Sequence, residues 1–192
     1  MALSHCEEYV ELREISLKDR PKELLSISPK GTVPVLQLKD NTIIEESIDI
    51  MLWVLKKNNS KWLQTDLKIQ NEMINENDKD FKYHLDKYKY YDRHPEESKE
   101  HYNNECKNFL VNYEKKLANH CYLLSNYIQF ADVAIFPFIR QYANVDKNGF
   151  IQTFPKLNHY LENFCNSKLF SSVMNKYKVW DKSSKILSTN FQ

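Results

Sequence analysis

The run Lys30-Gly31-Thr32-Val33-Pro34-Val35-Leu36, followed by Ile43-Ile44-Glu45-Glu46-Ser47-Ile48-Asp49-Ile50, constrains this chain more than any other segment. Proline removes a backbone donor and fixes φ, so Pro34 admits a strand only at its first residue or along an edge. Val35 to Leu38 and Thr42 to Ile44 flank the turn formers Lys39-Asp40-Asn41, and the pair reads as an antiparallel hairpin. Ser47 suits a helix N-cap, Asp49 falls in the positive first turn, and Ile48, Met51, Leu52 and Leu55 follow i, i+3, i+4, i+7 spacing. An amphipathic helix ending near Lys57 is expected. In this arrangement Val33 can present its backbone to a ligand backbone as an added strand does, while Ser47 and the first helix amides can hold a carboxylate. The ligand suggested is small, extended and anionic.

Upstream, Val10 and Leu12 fall on one face of Tyr9 to Ile15 and Glu11 and Arg13 on the other, the pattern of a half-exposed strand. Pro21 opens a short helix that Ser28-Pro29 stops. Beyond the polar linker Lys56 to Lys61 the strand signals fade and helical periods take over, which divides the chain into a domain at 1–57 and an all-helical domain at 66–192. Leu67, Ile74, Phe81 and Tyr88 form one seven-residue stripe, and a second helix is expected from Pro95 towards Asn119. Phe130 to Ala143 is apolar on almost every face, as a buried central helix is, with Pro137 kinking it. Pro155 opens a further helix, and the tail after Lys182 reads as weakly structured.

Composition removes several alternatives. With 27 basic against 26 acidic residues the chain exerts no long-range pull on nucleic acid or anionic membrane. The basic and aromatic run Lys82 to Arg93 is interleaved with Asp86 and Asp92, and reads as a helix end with one packed face. No apolar run approaches the roughly 20 residues that span a bilayer, and no secretion signal opens the chain, so a cytoplasmic protein is expected. Gly31 and Gly149 are the only glycines, which rules out a glycine-rich phosphate loop. Cys6, Cys106, Cys121 and Cys165 form no CxxC pair and read as reduced, mostly buried thiols. His94, His101 and Cys106 have no usual zinc spacing, so no metal is expected.

A strand, helix and hairpin followed by an all-helical domain resembles the cytosolic glutathione transferases, especially bacterial members near the omega and glutaredoxin-like groups. The resemblance rests on Ser28 to Leu36, Glu46-Ser47, Asn77-Asp78 with Phe81-Lys82, and Ala131 to Pro137. It implies a thioredoxin-like α/β N-terminal domain and an all-α C-terminal domain of the transferase type. It implies a cis bond before Pro34, with Val33 pairing to the cysteinyl backbone of glutathione, Glu46 and Ser47 gripping the γ-glutamyl end, and Lys30 reaching the glycyl carboxylate. These five residues, Lys30, Val33, Pro34, Glu46 and Ser47, are the expected binding set. The family caps its second-domain helix with Ser or Thr, where this chain has Gln129, a poor N-cap; Asp132 can still supply its half of the capping box.

Met1 to His5 resembles the end of the family's first helix, so the first strand and the loop with the catalytic cysteine, serine or tyrosine are expected to be absent, on the order of fifteen residues. The family places that strand between the second strand and the hairpin. Tyr9 to Ile15 then needs another partner, by a shift onto the hairpin, from water or from another chain, and a disturbed or three-stranded sheet is expected. No catalytic residue is assigned within the chain, because Cys6 falls a turn or more beyond the family's active-site position. Two functions stay open: a transferase or thiol oxidoreductase using glutathione and an electrophilic or disulfide substrate in its full-length form, or a non-catalytic transferase-like binding or regulatory module. A homodimer is expected from the resemblance.

Overall fold

The computed structural model describes all of residues 1–192, which divide into two compact units. One comprises Met1–Ser60 with Lys168–Gln192, the other Lys61–Ser167. The cut between the units falls at Ser60–Lys61. Residues 168–192 group with the first unit and not with the helical one.

The first unit begins with a single helical turn, α1 (Ala2–His5), and continues through strand β1 (Val10–Glu11) to helix α2 (Lys22–Ile27). Val10 and Leu12 are half-buried while Glu11 and Arg13 are exposed, as the alternation requires. Strands β2 (Leu36–Gln37) and β3 (Ile43–Ile44) form the expected hairpin, with Leu36 opposite Ile44 and Gln37 opposite Ile43. Its turn is closed by Leu38 N–H donating to the Thr42 carbonyl at 2.8 Å, with Asn41 in the left-handed region at φ 68°. Asparagine tolerates that region because its short side chain can bond locally. Helix α3 (Ser47–Lys57) buries Ile50, Val54 and Leu55 and packs against α1.

The second unit carries helices α4 (Leu67–Glu76), α5 (Lys82–Lys89), α6 (Lys99–Lys116), α7 (Phe130–Ala143), α8 (Lys147–Thr153) and α9 (Pro155–Cys165). A π-helical turn at Asn77–Phe81 joins α4 to α5, so the stripe of Ile74, Phe81 and Tyr88 stays buried along one continuous rod. The central helix is α7, in which Phe130, Ala131, Ile135, Phe136 and Ile139 are essentially inaccessible. Gln129 is the N-cap residue of α7, forms a capping box with Asp132, and also reaches outside the helix. Its Oε1 accepts from Thr65 N–H at 3.2 Å, while Asp132 Oδ2 accepts from Gln129 N–H at 2.8 Å and supplies the acidic half of the box.

A last helix, α10 (Lys168–Ser172), precedes strand β4 (Ser188–Thr189), and both belong to the first unit. Strand β4 pairs antiparallel with β1, Val10 opposite Thr189 and Glu11 opposite Ser188. The expectation of a three-stranded sheet is therefore corrected to two separate two-stranded ladders. The backbone of β1 is satisfied by the chain's own tail, an option that a local reading of Tyr9 to Ile15 does not contain. The tail after Lys182 is correspondingly more ordered than its composition suggests.

Candidate functional site

Two short connections position the segment around Pro34. The turn before it is closed by Gly31 N–H donating to the Ser28 carbonyl at 2.9 Å. Gly31 sits at φ 60°, and a methyl group there would lie 2.9 Å from both Arg20 Cδ and Leu25 Cδ2. The positive φ favours glycine there, while the two side-chain neighbours can move aside. The Val33–Pro34 bond is cis. Val33 is 46% exposed, and its main-chain N–H and carbonyl take part in no hydrogen bond of the chain.

The start of α3 is held beside this turn. Ser28, fully buried, donates from Oγ to Glu45 Oε1 at 2.6 Å, and Lys30 Nζ lies 3.8 Å from Glu46 Oε1. Glu46 is the N-cap residue, with extended φ −102° and ψ 136°, and Ser47 is the first helical residue. That corrects Ser47 by one position: it is not the cap, and its exposed hydroxyl closes no helix amide. The first intrahelical bond is Ile50 N–H to the Glu46 carbonyl at 3.0 Å. The amides of Ser47, Ile48 and Asp49 are thus left to outside acceptors. Charge on a ligand oxygen at that point meets both these donors and the positive end of the helix dipole.

Lys30, Val33, Pro34, Glu46 and Ser47 are all exposed on the first unit, and Lys30 and Glu46 approach one another there. This exposed surface is not an enclosed pocket. Two cavities lie in the second unit, one of about 50 Å³ beside Tyr142 and Asp146 and one of about 180 Å³ between α4 and α6. The Ser28 to Glu45 bond is a contribution that the sequence reading omits. Its only signal is a hydroxyl residue before Pro29 and a second glutamate beside Glu46, neither diagnostic alone.

Nucleophile candidates are weak. Burial, helped by Glu8, raises the Cys6 thiol above its ordinary range, and burial pushes Cys106 up to about 12. Both shifts favour the unreactive thiol over the thiolate. The four cysteines are free, and no three His, Cys, Asp or Glu side chains gather as a metal ion would need. No helix is long and apolar enough to cross a membrane.

Known proteins carry the same two-part architecture. Residues 1–57 match the model of the glutathione S-transferase N-terminal domain, and residues 79–171 match that of the glutathione S-transferase C-terminal domain. No curated protein matches the sequence. Among solved structures, a bacterial glutathione transferase, BphK, in a ternary complex superposes with a TM-score of 0.74 at 20% identity, over 90% of this chain and 90% of its own. A glutathione transferase family member from Pseudomonas fluorescens, solved with two glutathione bound, gives 0.74 at 19% identity, over 88% of this chain and 83% of its own. A sphingomonad glutathione S-transferase complexed with glutathione gives 0.72 at 18% identity, over 90% and 89%. Identities this low speak for the fold, and the two domain matches, following one another in the family's order over most of the chain, speak for descent. This chain belongs to the glutathione S-transferase family.

Proposed function

We propose that the chain binds glutathione along the ledge formed by residues 30–34 and the start of α3. The observation that carries this reading is a pair of unspent sets of backbone groups, one on either side of the β2–β3 hairpin. Val33 has a free N–H and carbonyl at an exposed bend, and α3 opens with three unpaired amides, the two being tied together by the Ser28 to Glu45 bond. A tripeptide offers the complement: a central peptide unit to pair with Val33 and a terminal carboxylate for the helix mouth. Glu46 accepts from the ligand's amino group and Lys30 from the other end meets the glycyl carboxylate.

One consequence follows from lengths. An extended tripeptide spans roughly 10 Å, while Lys30 Nζ and Glu46 Oε1 are 3.8 Å apart. They cannot hold its two ends from their present positions, so binding separates them. Both side chains are more than 60% exposed and free to rotate, which makes that separation cheap.

Thiol transfer needs a donor beside the ligand sulfur to stabilise its anion. None of the five ledge residues is such a donor, so they support binding of the peptide portion and not activation of its thiol. The omega- and glutaredoxin-like placement rests on Lys30 in this reading. An electrophilic or disulfide second substrate, a two-fold dimer and a cytoplasmic setting belong to the same reading and are supported by the resemblance alone. Calorimetry with glutathione tests the core of it. Glu46→Ala and Ser47→Ala each weaken binding by roughly tenfold if a charge-assisted bond is lost at each. Unchanged affinity in both variants refutes the assignment.

A further inference from the structure

Residues 172–192 lie beyond both matched domain models, yet they fold into the first unit. There they run as a strap along β1. Leu12 N–H donates to the Leu187 carbonyl at 2.8 Å beside the two-residue ladder, and Trp180 N–H donates to the Glu14 carbonyl at 2.8 Å. Between these points the strap turns away, with Ser184 N–H donating to the Asp181 carbonyl at 2.9 Å. Side chains mark the register. The Arg13 guanidinium sits 4.8 Å from the Trp180 ring centroid, Lys182 Nζ lies 2.7 Å from Glu23 Oε1, and the buried Ser4 hydroxyl donates to the Phe191 carbonyl at 3.2 Å.

What the strap lacks is apolar burial. Val179 is 50% exposed, Ile186 76% and Leu187 41%, and Tyr177, Trp180 and Phe191 are only half-buried, so attachment rests on backbone bonds and on charged and aromatic contacts at the surface. Such contacts contribute little each, and segments with few buried apolar neighbours open locally while the rest of a fold stays closed. Opening this one bares the N–H and carbonyl row of β1, and a bare strand edge is a template for another extended chain.

We propose that the β1 edge is a strand-acceptor site, filled in this structure by the chain's own tail, that takes peptides built like it: a short extended stretch that pairs with Val10 to Leu12, preceded by a turn carrying a lysine two positions after an aromatic residue. The backbone row supplies affinity. Arg13, which stacks on the aromatic ring, and Glu23, which pairs with the lysine, supply selection, as they do for Trp180 and Lys182. The site is separate from the glutathione ledge and does not depend on it.

Hydrogen exchange read by mass spectrometry on the full chain tests this. In a Trp180→Ala, Lys182→Glu variant, residues 8–16 and 178–190 should exchange faster together, roughly fivefold or more, while α7 stays as protected as in the parent. A synthetic peptide with the parent sequence of residues 178–192, added to that variant, should restore slow exchange over residues 8–16, and a scrambled peptide should not. Unchanged exchange over 8–16 in the variant, or no restoration by the peptide, overturns the acceptor site. Faster exchange in α7 as well overturns the claim that the strap opens locally.

Discussion

Replacing Asp132 by alanine should destabilise the second unit in a way that depends on pH. Asp132 is fully buried at the third position of α7. Its Oδ1 accepts from Leu123 N–H at 2.9 Å and its Oδ2 from Gln129 N–H at 2.8 Å, and Tyr160 Oη donates to its main-chain carbonyl at 3.2 Å. Asp132→Ala leaves two buried backbone donors without acceptors, at roughly 1 to 3 kcal/mol each, or about 2 to 6 kcal/mol together. Burial is the dominant influence on the carboxyl itself and raises it from 3.8 to about 6, against the opposing pull of its donors. At 1.36 kcal/mol per pH unit that gap corresponds to about 3 kcal/mol for ionising Asp132 inside the fold. The folded state holds the proton more tightly than the unfolded one. This stabilisation is therefore complete below about pH 4 and is lost as pH rises through about 6. Urea denaturation from pH 4.5 to 7.5 should show the parent's advantage over Asp132→Ala widest at the acid end and about 2 kcal/mol smaller at the alkaline end. An advantage that is flat across this range, or grows with pH, refutes the reasoning.

Gly31→Ala should cost roughly 1 to 3 kcal/mol, because it adds a side chain at φ 60°; a melting temperature equal to the parent's would contradict this. Thiol labelling at pH 8 should find Cys121, which is exposed, in the fast phase, and Cys106, inaccessible with its thiol pushed up to about 12, only after unfolding. Loss of the fast phase in Cys106→Ser would overturn that assignment.

The elements around the ledge were legible because each is written in a short window. Pro34, the turn formers at 39–41 and the period of Ile48, Met51, Leu52 and Leu55 fix the hairpin and α3 without reference to the rest of the chain. The cap position shifted by one because Glu46 and Ser47 are both polar and only the backbone angles separate them. Gln129 misled in a different way. As a cap it is poor, but its amide reaches Thr65 in the loop before α4, a tertiary contact that no capping preference encodes. The strap was illegible for the strongest reason. Trp180 to Phe191 is rich in serine and lysine, with no alternation, and its partner β1 lies at the opposite end of the sequence. Pairing at that separation leaves no local periodicity, and only the folded backbone reveals it.

The most direct test of the glutathione reading is a titration of the isotopically labelled chain with glutathione, followed by backbone amide resonances. The amides of Val33, Ser47, Ile48 and Asp49 should move together and saturate with one affinity, while those around the cavity between α4 and α6 stay in place. If the amides of Val33 and of Ser47 to Asp49 stay still while others shift, glutathione binds elsewhere and the ledge is not its site.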